Sequence, residues 1–430
     1  MNMTRRQVGT SLGALAASAV LSGPEAHASG ISAAAATAGA DRGAFPRKVD
    51  FTIVDGYTYL NGAFSHPISR AAADAYHRAV EQRTTLASPG IPFVFLNPPP
   101  DTKPMPVDPR AAFAALINAK LEEISYIPNT STGENLIVEA LGIARLDGNV
   151  VTDALHFEGA LVHLLELKKK GLDLRLVMPR EGRIDMRDLE RVVDRNTRLI
   201  EVSLVSMYNG FQHDLKAVCD LAHAHGAYVY ADIIQGVGTV PLDVRAAGVD
   251  FAATATYKWL MGDFGLGFLF VREELLGSLI QRTHWSYESA PNTEIHLSPL
   301  DPQFPTPVTW TPGHDATRYF QLGTMANGAA AALRVSLPYI QRLGVESIQS
   351  WRQPMLKKLQ AEMPRLGFKA QTPSDSTSPI VTFAHQDAET ITKKLRAARV
   401  AITVTPYYVR IAPSIYNDMH DVDRLLEALS

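Results

Sequence analysis

The 430-residue chain has a formal net charge of −3, with 46% hydrophobic and 20% charged residues. This balance is ordinary for a globular protein of two or three domains. It excludes a globally basic chain, so neither nucleic acid nor an anionic membrane is expected as the main partner. The single cysteine, Cys219, excludes an intrachain disulfide and a multi-cysteine metal site.

The chain opens with "MNMTRRQVGTSLGALAASAVLSGPEAHASG": paired Arg5 and Arg6, a mildly apolar run, then Ala26-His27-Ala28 as a small-residue cleavage site. That pattern reads as a twin-arginine signal over residues 1–28, with a flexible alanine-rich leader over 29–44. A periplasmic or secreted protein handled by the twin-arginine export machinery is the expectation. An uncleaved anchor is disfavoured, because the run from Gly9 to Leu21 is short and alanine-rich. No later segment offers the roughly 20 apolar residues of a membrane span.

Residues 45–110 read as an N-terminal segment that includes the proline-rich stretch "NPPPDTKPMPVDPR". From Ala112 the chain alternates short β-rich runs with helical ones. Strands are expected at "EEISYI", "NVVTD", "LDLRLV", "RLIEVSLV", "AYVYAD", "FAATAT" and "GFLFV". Between them "ENLIVEALGIA", "GALVHLLELKKKG" and "DLKAVCDLAHAHG" read as helices, the last two running into a terminating glycine. Alternation of this kind predicts an α/β domain over residues 111–300, with a mainly parallel seven-stranded sheet sandwiched by helices. Binding is expected at the carboxyl ends of the strands. Residues 301–430 read as a proline-rich linker, a long helix "GAAAALRVSLPYIQRLG" and a smaller α+β domain. The long loops from Pro98 to Pro109 and Trp285 to Pro305 are expected to line a pocket.

Polar clusters follow several of these strands. "NTSTGEN" places Thr130, Ser131 and Thr132 before an apolar helix, where free N–H groups and the helix dipole can hold a phosphate. A plain N-cap made by Ser131 or Thr132 leaves the same pattern. "DALHFEGA" offers His156 and Phe157, the latter as a stacking ring or as core. Asn209 in "SLVSMYNG" reads most simply as turn chemistry. In "YVYADIIQG", Asp232 ends an apolar strand, a costly place for a carboxylate without a positive partner, and Gln235 follows three residues on. An N-cap is the alternative there, but it does not explain an apolar strand that runs right up to the acid. Lys258 in "TATYKWLMGDFGLGF" follows another apolar strand. A desolvated lysine has a depressed pKa and can form a Schiff base with an aldehyde, although an isolated lysine more often snorkels out to water. Phosphate loop, stacking ring, buried carboxylate and amine together are the parts that pyridoxal phosphate needs.

The ordered series "TSTGEN … HFEGA … SMYNG … YADIIQGVGTVPLDV … TYKWLMGDFGLGFLFVR … LGT … VRIAPSIYN" resembles the class V aminotransferases of fold type I. It is most similar to their isopenicillin N epimerase-like and kynureninase-like branch. The resemblance implies a pyridoxal 5'-phosphate enzyme, acting on an amino-acid-type small molecule, and a homodimer. It implies that Lys258 carries the cofactor as a Schiff base and then moves the Cα proton, while Asp232 pairs with the pyridine N–H. Gln235 and Asn209 would contact the phenolic oxygen, and Phe157 would stack on the ring. Thr130, Ser131 and Thr132 would cradle the phosphate, with Thr256 and Tyr257 adding hydroxyls. Thr324, in a "GT" pair, would reach the phosphate across a dimer interface. Arg410 would clamp the substrate carboxylate, and Asn61 would lie on the substrate side.

Two departures narrow the reaction. Many relatives carry histidine before the lysine or in the stacking slot, where this chain has Tyr257 and Phe157. Cysteine desulfurases use a mobile cysteine of the C-terminal domain, whereas Cys219 falls in a helix of the large domain. Transamination, epimerisation and C–S or sulfoxide cleavage all begin with loss of the Cα proton. The resemblance favours an exported transaminase-like or epimerase-like enzyme, such as one tailoring a siderophore side chain in the periplasm. A C–S lyase comes next, and a cofactor-binding protein without turnover last.

Overall fold

The computed structural model describes residues 44–84, 108–145, 147–290, 294–295 and 308–430. The signal, most of the leader, most of both expected pocket loops and the boundary near Asp301 lie outside the described residues.

All seven strand segments read from the sequence form strands, in one sheet. They are β1 (Ile124–Ile127), β2 (Asn149–Asp153), β3 (Asp173–Val177), β4 (Thr197–Ser203), β5 (Tyr228–Asp232), β6 (Phe251–Ala255) and β7 (Gly267–Val271). Their order is β1-β7-β6-β5-β4-β2-β3. The ladders from β3 across to β6 are parallel, and β7 runs antiparallel to both of its neighbours. Strands β2, β6 and β7 are buried along their whole length, as a sheet covered on both faces requires, which is why they read as continuous apolar runs.

Helices cover both faces. On one side lie α2 (Thr130–Ala140) and α3 (Glu158–Lys169), whose Leu136, Ile137 and Leu164 pack with Phe251 and Leu269. On the other lie α4 (Leu215–Ala224), with Val218 and Cys219, and α5 (Asn327–Leu343), with Leu333 and Leu337. Helix α1 (Arg70–Gln82) packs along α5.

The C-terminal unit is a four-stranded antiparallel sheet of β8 (Lys369–Ala370), β9 (Val381–Ala384), β10 (Thr403–Val404) and β11 (Tyr408–Ile411), in the order β8-β9-β11-β10. Its core joins Met355 and Leu356 of α6 (Val345–Glu362) to Phe383, Val409 and Leu425. Leu60, from far upstream, belongs to the same core. Thr58–Tyr59 pairs in parallel with Val400–Ala401, and Asn61 bridges Ala412. Thus the N-terminal segment is stitched to the C-terminal unit. The two units are also pinned by the wholly buried Arg352 of α6, which donates to the Thr239 carbonyl at 2.6 Å and lies 5.7 Å from the Trp259 ring centroid. Among the described residues no helix is long and apolar enough to cross a membrane.

Helix α2 sits on the sheet with almost no clearance. A Cβ at Gly133 would lie 2.8 Å from both Ala253 Cβ and Ile127 Cδ1. Gly133→Ala is therefore expected to destabilise the protein by about 1–3 kcal/mol through overpacking. A denaturant midpoint equal to that of the wild type would show that α2 has slack against β1 and β6.

Candidate active site

The candidate residues converge at the carboxyl ends of the parallel strands, where an open α/β sheet leaves a crevice. Asp153, Ser203 and Asp232 end β2, β4 and β5, and Ser203 and Asp232 are register partners. Asp232 is 4% exposed, and Oδ1 accepts from the Ile234 N–H at 2.9 Å. Burial pushes its carboxyl up to about 6, against the opposing pull of the Ile234 N–H and of Lys258. Lys258 follows β6 and is buried. Desolvation drives its amine down to about 8, with Asp232 raising it and Arg410 lowering it further. The two groups therefore feel each other, and no ion pair to either forms among the described residues.

Beside them, α2 begins at Thr130. Its N-cap is Asn129, whose Oδ1 accepts from the Thr132 N–H at 2.9 Å and from the Thr132 hydroxyl at 3.1 Å. The cap is thus neither Ser131 nor Thr132, and the Thr132 hydroxyl is spent on the cap rather than left for a phosphate. Thr130 Oγ1 is buried with no hydrogen-bond partner. That orphaned hydroxyl, at an eleven-residue helix's positive end, is a ready anion contact.

Gln235 is fully engaged at one end and half at the other. Its carbonyl accepts from Trp259 Nε1 and its amide donates to the Ala63 carbonyl, both at 3.0 Å, leaving one N–H unused. The C-terminal unit delivers Arg410 from β11. Its guanidinium donates to the Met207 carbonyl at 3.0 Å and to Thr403 Oγ1 at 3.3 Å, while Nε is buried without a partner. Thr403 in turn donates to Asn61 Oδ1 at 2.8 Å. Asn61 and Arg410 therefore belong to one network through Thr403, a residue the sequence reading missed. Burial lowers the Arg410 pKa from its ordinary value, and no carboxylate pairs with it among the described residues.

Two expected contacts fall elsewhere. The wholly buried Thr256 turns its hydroxyl to the carbonyls of Asp263, at 2.7 Å, and Leu266, at 2.9 Å, so it closes the turn after Lys258 and has no proton to give a phosphate. Asn209 donates to the Gly182 carbonyl at 2.7 Å and accepts from the Phe211 N–H at 3.0 Å. The same amide nitrogen lies 3.4 Å from the Gln371 carbonyl, so the side-chain oxygen closes its own turn while the N–H groups tie that turn to two distant segments. Tyr257 is half-buried and stacks on Phe264 with centroids 4.5 Å apart; its hydroxyl makes no bond to a described residue. His156 points inward, with Nδ1 2.8 Å from Ser203 Oγ, whereas Phe157 is half-buried at the head of α3. Thr324 is exposed, 2.9 Å from the Tyr287 hydroxyl. Of the residues packed around Trp259, the sequence pointed to Gln235 and to the tryptophan beside the lysine, but gave no sign of Arg352.

The family model for aminotransferase class V matches residues 107–425. The chain belongs to that family. Among curated relatives, a "Probable cysteine desulfurase" of Methanothermobacter thermautotrophicus is 31% identical over 253 residues, 59% of this chain and 60% of the relative. A cysteine desulfurase of Klebsiella pneumoniae is 28% identical over 58% of this chain and 59% of its own length. The class V chain thus matches about three fifths of the length of these relatives. Solved structures extend the likeness in fold. The cysteine desulfurase of Thermococcus onnurineus superposes with a TM-score of 0.75 at 20% identity, covering 89% of this chain and 97% of that one. A C-DES mutant with glycine covalently linked to its PLP cofactor gives 0.74 at 18%, covering 89% and 99%.

The cofactor of this class V chain is pyridoxal 5'-phosphate, and the residues present fit it. The orphaned Thr130 hydroxyl and the α2 N-terminus suit its phosphate, the buried Asp232 carboxylate suits a protonated ring nitrogen, and the Lys258 amine suits its aldehyde. Without cofactor, the Lys258 amine is expected to react with an acylating reagent along a titration centred near pH 8, followed by peptide mass spectrometry. Asp232→Asn is expected to move that midpoint lower still, because the Asp232 charge raises the lysine. A midpoint near the ordinary 10.5 would contradict the buried placement.

Proposed function

We propose that the protein is an enzyme that removes the Cα proton of an amino acid, or of an amino-acid unit in a peptide-like metabolite, with Lys258 as the base. The observation that carries this reading is a desolvated lysine, with its amine brought down to about 8, within the fields of both Asp232 and Arg410. An amine of that pKa can hold and return a proton near neutral pH. Pyridoxal phosphate, when bound, supplies the electron sink that makes the Cα–H bond acidic. With the cofactor bound, Asp232 would keep a proton at the ring nitrogen, Thr130 and Ser131 would hold the phosphate end, and the unused Gln235 N–H would be available to the phenolic oxygen. Arg410, oriented by Met207 and by the Thr403–Asn61 link, takes the substrate carboxylate with a fork suited to bidentate binding.

Among the reactions that follow proton loss, C–S cleavage gains support from the relatives, which carry the name cysteine desulfurase. A persulfide on Cys219 is no part of this reading. That thiol is 0% exposed in the core under α4, and burial pushes it up to about 12. A C–S or sulfoxide lyase that needs no protein cysteine is consistent with both facts. The transaminase-like or epimerase-like reading rests on Tyr257 and Phe157, which match the epimerase-like and kynureninase-like branch. A homodimer and export through the twin-arginine route, to the periplasm or beyond, complete the proposal. The first draws support from the exposed Tyr287 and Leu322 beside Thr324, and the second from Arg5–Arg6.

Lys258→Ala is expected to abolish the visible absorbance of the lysine-linked cofactor and to lower turnover by at least about a thousandfold. Arg410→Ala is expected to retain that absorbance and to raise KM by about ten- to a hundredfold, the loss of a charge-assisted pair. Assays for keto product, inverted stereochemistry and released sulfur on the same panel of amino acids select the reaction. A variant lacking Lys258 with the wild-type spectrum would overturn the assignment.

A further inference from the structure

Between the turn that carries Lys258 and the chain leaving β11 runs a short strap, residues 60–66, fastened on both sides. On the arginine side, the Leu60 carbonyl accepts from the Ala412 N–H at 2.8 Å, and the Gly62 N–H donates to the Ala412 carbonyl at 3.1 Å. On the lysine side, the His66 N–H donates to the carbonyl of Tyr257, one residue before Lys258, at 3.0 Å. A Cβ at Gly62 would lie 3.1 Å from the Trp259 ring and 3.4 Å from the Ala412 carbonyl oxygen. The strap is therefore wedged between the residue after the lysine and the residue after β11.

The last side chain of the strap closes the link. The His66 ring is buried among Phe51, Trp259 and Tyr416, at centroid distances of 5.6, 6.0 and 5.3 Å. Its Nδ1 lies 2.8 Å from the Pro67 carbonyl, which can only accept, so Nδ1 carries the hydrogen. Burial drives the ring down to about 4, with the Pro67 carbonyl opposing and Arg352 assisting. The imidazole is thus neutral near pH 7, and Nε2 is left as an acceptor. The donor it meets is the buried Ser414 hydroxyl, at 2.7 Å. Ser414 lies four residues after Arg410, and its own N–H is held by Asn417 Oδ1 at 2.9 Å. Filling an aromatic core requires neither a fixed tautomer nor a buried hydroxyl set opposite it. One residue bonds to the lysine turn through its backbone and to the arginine segment through its ring.

We propose that His66 is a positioning residue that, through Ser414, sets the separation of Lys258 and Arg410. This deepens the proposed function and rests on it for the roles of the two groups. An amine that takes the Cα proton and a guanidinium that holds the substrate carboxylate must stand one amino-acid backbone apart. A misplacement of about 1 Å at such a site costs on the order of a hundredfold in rate.

The test uses the cofactor-loaded protein and two probes that capture the cofactor aldehyde, aminooxyacetate and methoxyamine. In both, the aminooxy nitrogen replaces the Lys258 nitrogen on the aldehyde carbon and the lysine leaves as its free amine. Only aminooxyacetate has a carboxylate for Arg410. The ratio of their second-order rate constants, read from loss of the Lys258-dependent visible absorbance, reports the spacing of the two groups without turnover. In the wild type aminooxyacetate is expected to react about ten- to a hundredfold faster, and Arg410→Ala to remove that advantage. Ser414→Ala and His66→Leu are each expected to cut the advantage about three- to tenfold, and the double variant no further than His66→Leu alone. Methoxyamine is expected to stay within about twofold of its wild-type rate in all of them. His66→Gln, which keeps an acceptor near the place of Nε2, is expected to retain more of the advantage than His66→Leu. A purely structural histidine would slow both probes alike, and that result overturns the proposal. So does an advantage unchanged in Ser414→Ala but lost in Arg410→Ala, which decides the matter if His66→Leu does not fold. Failure of the underlying reading looks different, and the inference falls with it: the Lys258-dependent absorbance is missing, or there is no advantage for Arg410→Ala to remove.

Discussion

The rest of the site depends on the burial of Lys258 and Asp232 in one desolvated crevice without direct contact. Each group alone would be driven towards its neutral form, the lysine downward and the aspartate upward. Each also opposes the other's shift, because opposite charges favour ionisation. The outcome is two groups whose values converge on neutrality from opposite sides. An amine that can be free at physiological pH and a carboxylate that welcomes a positively charged partner are the two conditions for holding an aromatic aldehyde cofactor. Closer approach would have produced an ordinary ion pair and removed both properties.

That spacing is a property of the sheet. Asp232 ends β5, and Lys258 lies three residues past the end of β6, its parallel neighbour. Thr256 then ties the turn after the lysine to the carbonyls of Asp263 and Leu266. Below, Trp259 is held by Gln235 on one side and faced by the buried Arg352 on the other. Arg352 comes from α6, so the floor of the crevice is completed by the same contact that pins the C-terminal unit. Position and assembly are therefore coupled: the lysine's backing and the delivery of Arg410 both require the second unit to be seated.

The Thr403–Asn61 link carries the same logic to the substrate side. Residue 61 reaches the site only because its segment pairs with the C-terminal unit, through Thr58–Tyr59 on Val400–Ala401 and the bridge to Ala412. Chain ends distant in sequence thereby meet at one guanidinium. An arginine with a buried, unpartnered Nε and no carboxylate partner among the described residues is costly to keep unless a ligand supplies the missing charge.

Much of this was legible in the sequence. Seven apolar runs in alternation with amphipathic ones imply a sheet covered on both faces, because only burial on both sides makes a strand uniformly apolar. An acid and a lysine closing two such runs stand out because they violate that pattern at its end. Single-residue roles were less legible where a side chain could serve either the backbone or a ligand. The hydroxyls of Thr132 and Thr256 and the amide of Asn209 look the same in sequence whether they face a phosphate, a cap or a turn. Only the folded backbone decided that Asn129 caps α2, that Thr256 closes its own turn, and that Thr130 is left with a buried hydroxyl and no partner. Thr403 and Arg352 were beyond sequence for a related reason. Their meaning lies in pairings across tens or hundreds of residues, and those distances are set by packing rather than by local pattern.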